Sequence, residues 1–158
     1  MDYTEKLIST MPVVIRRRVR FGECDPAGIV YTPEFSHFAL SAYHWFMYVM
    51  LGGPMLTQLR KKGWDSPIKA LTFEFRNMLE PDQVFDMTCR IMAIRSRTFD
   101  VEIHGQSTTE KPHDIFVAKL SPIMVDPVTK RSVAIPAELR KDLEDYQARQ
   151  PGGGASQS

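Results

Sequence analysis

Residues Ile29 to Gly53 read IVYTPEFSHFALSAYHWFMYVMLGG. Thr32 is placed to cap a helix, Pro33 suits its first position, and Gly52 supplies the stop. Within those limits Phe35, Phe38, Ala39, Ala42, Phe46 and Met50 recur at helical spacing, while Trp45, Met47 and Val49 extend the apolar surface almost all round. A helix of this kind is expected inside a fold rather than on its surface, so the flanking segments have to enclose it.

Those flanks carry a different period. Upstream, VVIRRRVRF over 13–21 places Val13, Ile15, Val19 and Phe21 at alternate positions, a pattern broken by Arg17, and predicts a strand. Downstream, Leu71, Phe73 and Phe75 alternate with polar residues, as do Phe85, Met87, Cys89 and Ile91, and then Phe99, Val101 and Ile103. Joined by EPDQ and RSR, these three runs predict an antiparallel meander with one buried face. A fourth strand, IFVAKLSPIMV, contains Pro122 and so calls for a bulge or an edge position. RSVAI is expected to continue the pairing, and Pro136 to open a short charged helix reaching about Arg149. The expected fold class is α+β, with the antiparallel sheet wrapped around one long central helix. The organisation expected is a single domain over 1–149, followed by a flexible tail, 150–158, with sequence QPGGGASQS.

Composition narrows the function classes. The chain has 158 residues, 43% of them hydrophobic and 25% charged, with a formal net charge of +1, which suits one globular domain and gives no basic excess for nucleic-acid binding. MDYTEKLISTMPVV carries Asp2 and Glu5 and is unlike a secretory signal, and no apolar run is long enough for a bilayer, so a cytoplasmic protein without a membrane partner is expected. Cys24 and Cys89 lack metal-ligand spacing and a disulfide framework, and both are expected reduced.

Just before the helix lies RVRFGECDPAGIVYTPEF, residues 18–35. Asp25-Pro26 between strand and helix is ordinary turn chemistry on its own. The whole stretch, however, resembles the signature of the 4-hydroxybenzoyl-CoA thioesterase family: an arginine and an apolar residue on the first strand, then Cys-Asp-Pro-Ala-Gly-Ile-Val and an aromatic before the helix. That resemblance extends over residues 12–146. It implies the hotdog fold, in which two subunits pair to build the active sites, and thioester hydrolysis without metal or redox cofactor. It also implies that Asp25 acts on the thioester carbonyl as nucleophile or as base for water, with a backbone N–H at Thr32 polarising the carbonyl. RSRTF resembles a segment that sets cations near the CoA phosphates, making Arg95 and Arg97 candidate contacts, with Arg131 at another basic position. In Tol-Pal-associated thioesterases of the same fold a histidine stands seven residues after the aspartate and a tyrosine four before it. Thr32 and Phe21 occupy those places here, which favours a mechanism relying on the aspartate alone.

Other residues have plainer readings. Glu23 is expected to face solvent, Cys24 to pack as a small apolar side chain, and Glu34 to complement the helix dipole. His37 and His44 share a helix face as core or pocket residues without a third ligand, and His104 and His113 read as surface residues. Tyr31 is a candidate acyl-pocket residue; Tyr43 and Trp45 are either pocket or core. Arg16, Arg17, Arg18 and Arg20 either touch CoA phosphates or protect an edge strand. The expected partners are acyl-CoA, or an acyl carrier protein, and a second copy in a homodimer or homotetramer. A hotdog hydratase or dehydratase is the alternative enzyme, disfavoured because no histidine lies between Asp25 and Pro33. A non-catalytic acyl-CoA-binding module is the alternative from another class.

Overall fold

The computed structural model describes residues 3–152. In chain order its elements are β1 (Glu5–Thr10), β2 (Val13–Arg18), a single 3-10 turn (Phe21–Glu23), α1 (Glu34–Leu51), α2 (Met55–Lys62), β3 (Ile68–Phe75), β4 (Val84–Ile94), β5 (Phe99–Ser107), β6 (Asp114–Pro122) and α3 (Ala137–Arg149). The strands form one six-stranded sheet ordered β1-β2-β4-β5-β6-β3, antiparallel throughout.

The meander is therefore β4-β5-β6, and β3 does not precede β4 within it. Consecutive strands usually neighbour one another, but α1 and α2 intervene between β2 and β3, and β3 pairs along β6 at the opposite edge. The connection back to β4 crosses under the start of α1, where Val30 N–H donates to Leu79 O at 2.8 Å and Leu79 is fully buried. Its exit beside β2 is fixed by Val19 N–H to Gln83 O and Asp82 N–H to Val19 O. Pro122 ends β6 at a register shift between Ile68 and Ala70 of β3, which is the expected bulge. RSVAI does not form a strand; it contributes one isolated bridge, Val125 to Ser132.

Helix α1 supplies the centre of the core. Phe35, Phe38, Ala39, Ala42, Tyr43, Phe46 and Met47 are buried on it, facing Val13 and Ile15 of β2, Phe85, Met87, Cys89 and Ile91 of β4, and Val101 and Ile103 of β5. Each large side chain fully buried there contributes about 1.5–3 kcal/mol. Gly52 closes α1 in the left-handed region, φ 74°, and donates its N–H to Tyr48 O.

The sheet is not the only cover of α1, and α1 is one of three helices. On α3, Leu139, Leu143 and Tyr146 are buried, and the Tyr146 hydroxyl accepts from Val13 N–H (2.8 Å) while donating to Cys89 O (2.6 Å). One face of α1 stays open: His44 and Tyr48 are exposed and Ser41 and Trp45 half-buried, forming with Pro54, Met55 and Leu56 a groove beside α2. The apolar character of α1 thus exceeds its burial in one chain. Gln150, assigned to the tail by sequence, is buried, and its side-chain amide bonds both backbone groups of Ile91 at 2.8 Å. The rest of the expected tail from residue 153 onward lies outside the described residues.

Candidate active site

Strand β2 ends at Arg18, short of the expected Phe21, because the chain turns into the 3-10 segment. Glu23 draws it round: its carboxylate accepts Arg20 N–H at 2.9 Å and pairs with Arg17. Two expectations are corrected here. Glu23 is 5% exposed rather than solvent-facing, and Phe21, at 85%, is on the surface rather than in the core.

Asp25 follows in a tightly bonded turn. Its N–H donates to Ile29 O (2.9 Å), its carbonyl accepts Gly28 N–H (3.0 Å), and its Oδ1 accepts Ala27 N–H (2.8 Å). Pro26 fits the second position of that turn, and Gly28, at φ 78°, takes the left-handed conformation a side chain would resist. So the turn chemistry of the sequence is real, and it occupies one carboxylate oxygen. Oδ2 accepts no hydrogen bond among the described residues. The side chain is half-buried.

The start of α1 differs from expectation in a way that isolates one donor. Pro33, not Thr32, is the residue before the helix, and no side chain caps it. The amides of Glu34, Phe35 and Ser36 are tied to the carbonyls of Tyr31, Thr32 and Pro33 at 2.8–3.2 Å, so they are not free donors. Tyr31 N–H donates to Glu23 O, Pro33 has no N–H, and the Thr32 amide meets no acceptor among the described residues. Thr32 lines a cavity of about 270 Å³ whose walls are Ile29, Val30, Phe35, Phe75, Met78 and Leu79, with Arg76 and Asn77 at one side. Phe35 packs edge-on against Phe75 (5.1 Å) and Phe116 (5.6 Å). Asp25 does not line this cavity itself; it is bonded to Ile29, which does. Tyr31 is 55% exposed beside Thr32.

Cys24 and Cys89 carry free thiols. Burial, then the charges of Glu23 and Asp25, raise the pKa of Cys24, and burial raises that of Cys89, so neither thiol is poised as a nucleophile. His37 is exposed, not a core residue, and its Nδ1 lies 3.0 Å from Glu34. His104 is half-buried and pairs with Asp114 at 2.7 Å, which lowers the Asp114 pKa. The basic run is spent on structure: Arg16 pairs with Asp86, Arg17 with Glu5 and Glu23, Arg18 with Asp82, and Arg20 with Glu23.

Arg95, Arg97 and Arg131 gather at a separate corner, where β5 begins. Arg97 donates to Ser132 Oγ (2.8 Å), next in sequence to Arg131, which is exposed. Arg95 grips buried Asp100 through two bonds of 3.0 and 2.8 Å, and this pairing, against the opposing effect of burial, lowers the Asp100 pKa. Arg95 also borders a cavity of about 370 Å³ with Lys69, Thr98 and Lys119. Among the described residues, no hydrogen bond or shared cavity links this corner to Asp25.

A turn-held carboxylate with one open oxygen and an unpaired amide at a helix start thus lie beside an apolar cavity. Residues 19–143 match the profile of the thioesterase-like superfamily. The chain belongs to that superfamily. Its class of reaction is thioester hydrolysis. Solved structures share the fold. A hypothetical protein from Aquifex aeolicus is 24% identical, with 84% of this chain and 99% of that one covered and a TM-score of 0.74. The 4-hydroxybenzoyl-CoA thioesterase from Pseudomonas sp. strain CBS-3 is 22% identical, with 82% and 96% covered and a TM-score of 0.73. A hypothetical protein from Staphylococcus aureus in complex with CoA is 13% identical, with 96% and 90% covered and a TM-score of 0.81. At these identities the likeness is one of fold. No curated protein sequence matches the chain.

Proposed function

We propose that this thioesterase-superfamily protein hydrolyses a small acyl-CoA, with an aromatic acyl group of the 4-hydroxybenzoyl kind as the first choice, to the free acid and CoA. The observation that carries the reading is the Asp25 loop: it falls within the family match and, among the described residues, leaves one carboxylate oxygen of Asp25 and the Thr32 amide at the helix start unpaired. Asp25 takes a proton from water, whose oxygen attacks the carbonyl carbon, or attacks that carbon itself to give an anhydride that water then opens. In both routes the carbonyl oxygen gains charge, the Thr32 amide stabilises it, the C–S bond breaks, and CoA leaves as a thiolate that takes up a proton. The cavity walled by Phe35, Phe75 and Met78 receives the acyl group, with Tyr31 at its approach.

Arg95, Arg97 and Arg131 receive the CoA phosphates. Because they stand apart from Asp25 within one chain, the reading includes a homodimer, or a homotetramer built from it, in the hotdog arrangement with α1 as central helix. Supporting this, β3 is an edge strand, and Phe75 and Met78 at its end are 50% and 68% exposed. A cytoplasmic location is part of the proposal; no helix among the described residues is long and apolar enough to cross a membrane.

The test is release of free thiol from aromatic, short-chain and long-chain acyl-CoAs. Turnover concentrated on aromatic thioesters supports the reading. Turnover confined to long chains, or none on any acyl-CoA, contradicts it.

A further inference from the structure

Strand β2 carries a charge where its inward neighbours are apolar. Val13, Ile15 and Val19 face the core, and Arg17, on the same register, is only 9% exposed. Its guanidinium carbon lies 4.6 Å from the centroid of the Phe38 ring. One terminal nitrogen donates to Glu5 Oε2 and the other to Glu23 Oε1. Glu23 is buried and Glu5 half-buried, their side chains 6% and 14% exposed. Glu5 in turn accepts from Ser41 Oγ and, at 2.6 Å, from Trp45 Nε1 on α1. Glu23 accepts from Arg20 N–H through its carboxylate and from Tyr31 N–H (2.9 Å) through its carbonyl.

The topology of these bonds is specific. Glu23 stands two residues before Asp25, and Tyr31 one residue before Thr32. Both ends of the loop that holds the two unpaired reactive groups are therefore fastened to Glu23, and Glu23 is fastened through Arg17 and Glu5 to β1 and α1. Holding one buried and one half-buried carboxylate around a buried guanidinium is a costly way to gain stability, since well-packed apolar residues in such places do as well or better. Arg17 Nε is also left without a partner among the described residues, a further cost. What charged groups add is directional, short-range restraint at a defined place.

We propose that the Glu5–Arg17–Glu23 cluster is a clamp that positions the 23–32 loop, with Glu23 and Arg17 as positioning residues for Asp25 and Thr32. This rests on the thioesterase reading for its catalytic consequence but not for its structural one. A carboxylate displaced by about 1 Å loses on the order of a hundredfold in rate. Loosening the clamp thus lowers kcat while leaving KM, which reflects the cavity and the distant cations, nearly unchanged.

The experiment compares wild type with Glu23→Gln, an isostere without the charge, and with Arg17→Lys and Glu5→Gln. Steady-state kinetics on the best acyl-CoA are measured alongside amide hydrogen exchange resolved to single residues. In Glu23→Gln, kcat is expected to fall about tenfold to a hundredfold with KM within about threefold. Exchange at the Asp25, Gly28 and Tyr31 amides is expected to accelerate about tenfold or more while β4 and β5 keep their protection. Glu5→Gln should move the same readouts less. If Glu23→Gln does not fold, Arg17→Lys and Glu5→Gln carry the test with the same readouts. A variant that melts earlier with unchanged kcat and unchanged loop exchange overturns the proposal, leaving the cluster a structural ion pair only. If no acyl-CoA is turned over, the thioesterase reading fails, and loop exchange alone still decides whether the clamp exists.

Discussion

At the Asp25 loop the groups that shape the turn find their partners within the chain. Asp25 N–H, its carbonyl and its Oδ1 are bonded, as are the Gly28, Tyr31 and Glu34 amides, while Asp25 Oδ2 and the Thr32 amide meet no partner among the described residues. At the corner formed by Arg95, Arg97 and Arg131 the cations face water: the Arg95 side chain is 56% exposed, and Arg131 is exposed. In the proposed function, one region is preorganised for reacting atoms, where misplacement is costly. The other suits a long, charged, flexible part of a ligand, where an exposed guanidinium gives up little hydration on meeting a phosphate. The two regions should therefore answer mutation in different currencies: kcat at the loop, KM or stability at the corner.

Within the corner, Arg95 and Arg131 should themselves separate. Arg95→Ala leaves the buried Asp100 carboxylate with only Ser121 Oγ, at 2.7 Å, and Lys119, at 3.8 Å. Because Arg95 is more than half exposed, solvent screens the pair and the loss is about 1–2 kcal/mol rather than the larger cost of a fully buried one. That lowers Tm by about 3–6 °C near neutral pH, measurable by calorimetry. The sign of the pH dependence follows from the Asp100 pKa, held below its ordinary value mainly by Arg95. Its stabilisation is fully present above the unfolded carboxylate value, about 3.9, and is lost as pH falls through the lower folded value. The Tm gap between wild type and Arg95→Ala should thus close in acid; a gap that persists there would mean Arg95 acts by packing.

A smaller effect is expected at Arg131, whose backbone alone is bonded, to Thr129 Oγ1 and Asp126 N–H. Arg131→Ala should raise KM for acyl-CoA about threefold to tenfold, with kcat and Tm unchanged, as for one exposed charge on a phosphate. A fall in kcat instead would place Arg131 among the reacting groups and dissolve the contrast. The smallest effect is at Thr32. The proposed function makes its amide rather than its hydroxyl the donor, so Thr32→Ala should leave kcat within about twofold. A loss approaching a hundredfold would assign the role to the hydroxyl.

Much of this was legible in residue patterns where local chemistry decides the outcome. Gly52 stops α1, Pro136 precedes α3, and the inward residues of β4 and β5 are those that alternation selects, because a two-residue period is a property of a single strand. What depends on a partner was not legible. β1 is short and half-buried, and exists through its pairing with β2; the basic α2 is only eight residues long; and β3 is displaced to the far edge by the helices before it. In the site, the Asp25 turn follows from Asp-Pro-Ala-Gly itself, whereas burial of Glu23 depends on an arginine on another element. One signal pointed to it. Arg17 occupies an inward register between Ile15 and Val19, and a charge placed there requires a buried counter-charge.

The most direct measurement pairs turnover with binding for wild type and Asp25→Asn on the best acyl-CoA. Asparagine keeps the Oδ1 acceptor for Ala27 N–H, so the turn and the fold are retained while the carboxylate charge is removed. Catalysis by Asp25 predicts that kcat falls about a thousandfold or more, with acyl-CoA Kd within about threefold and Tm within about 2 °C. Turnover kept near wild type with binding intact would contradict it, and would return Asp25 to the turn that its other bonds already build.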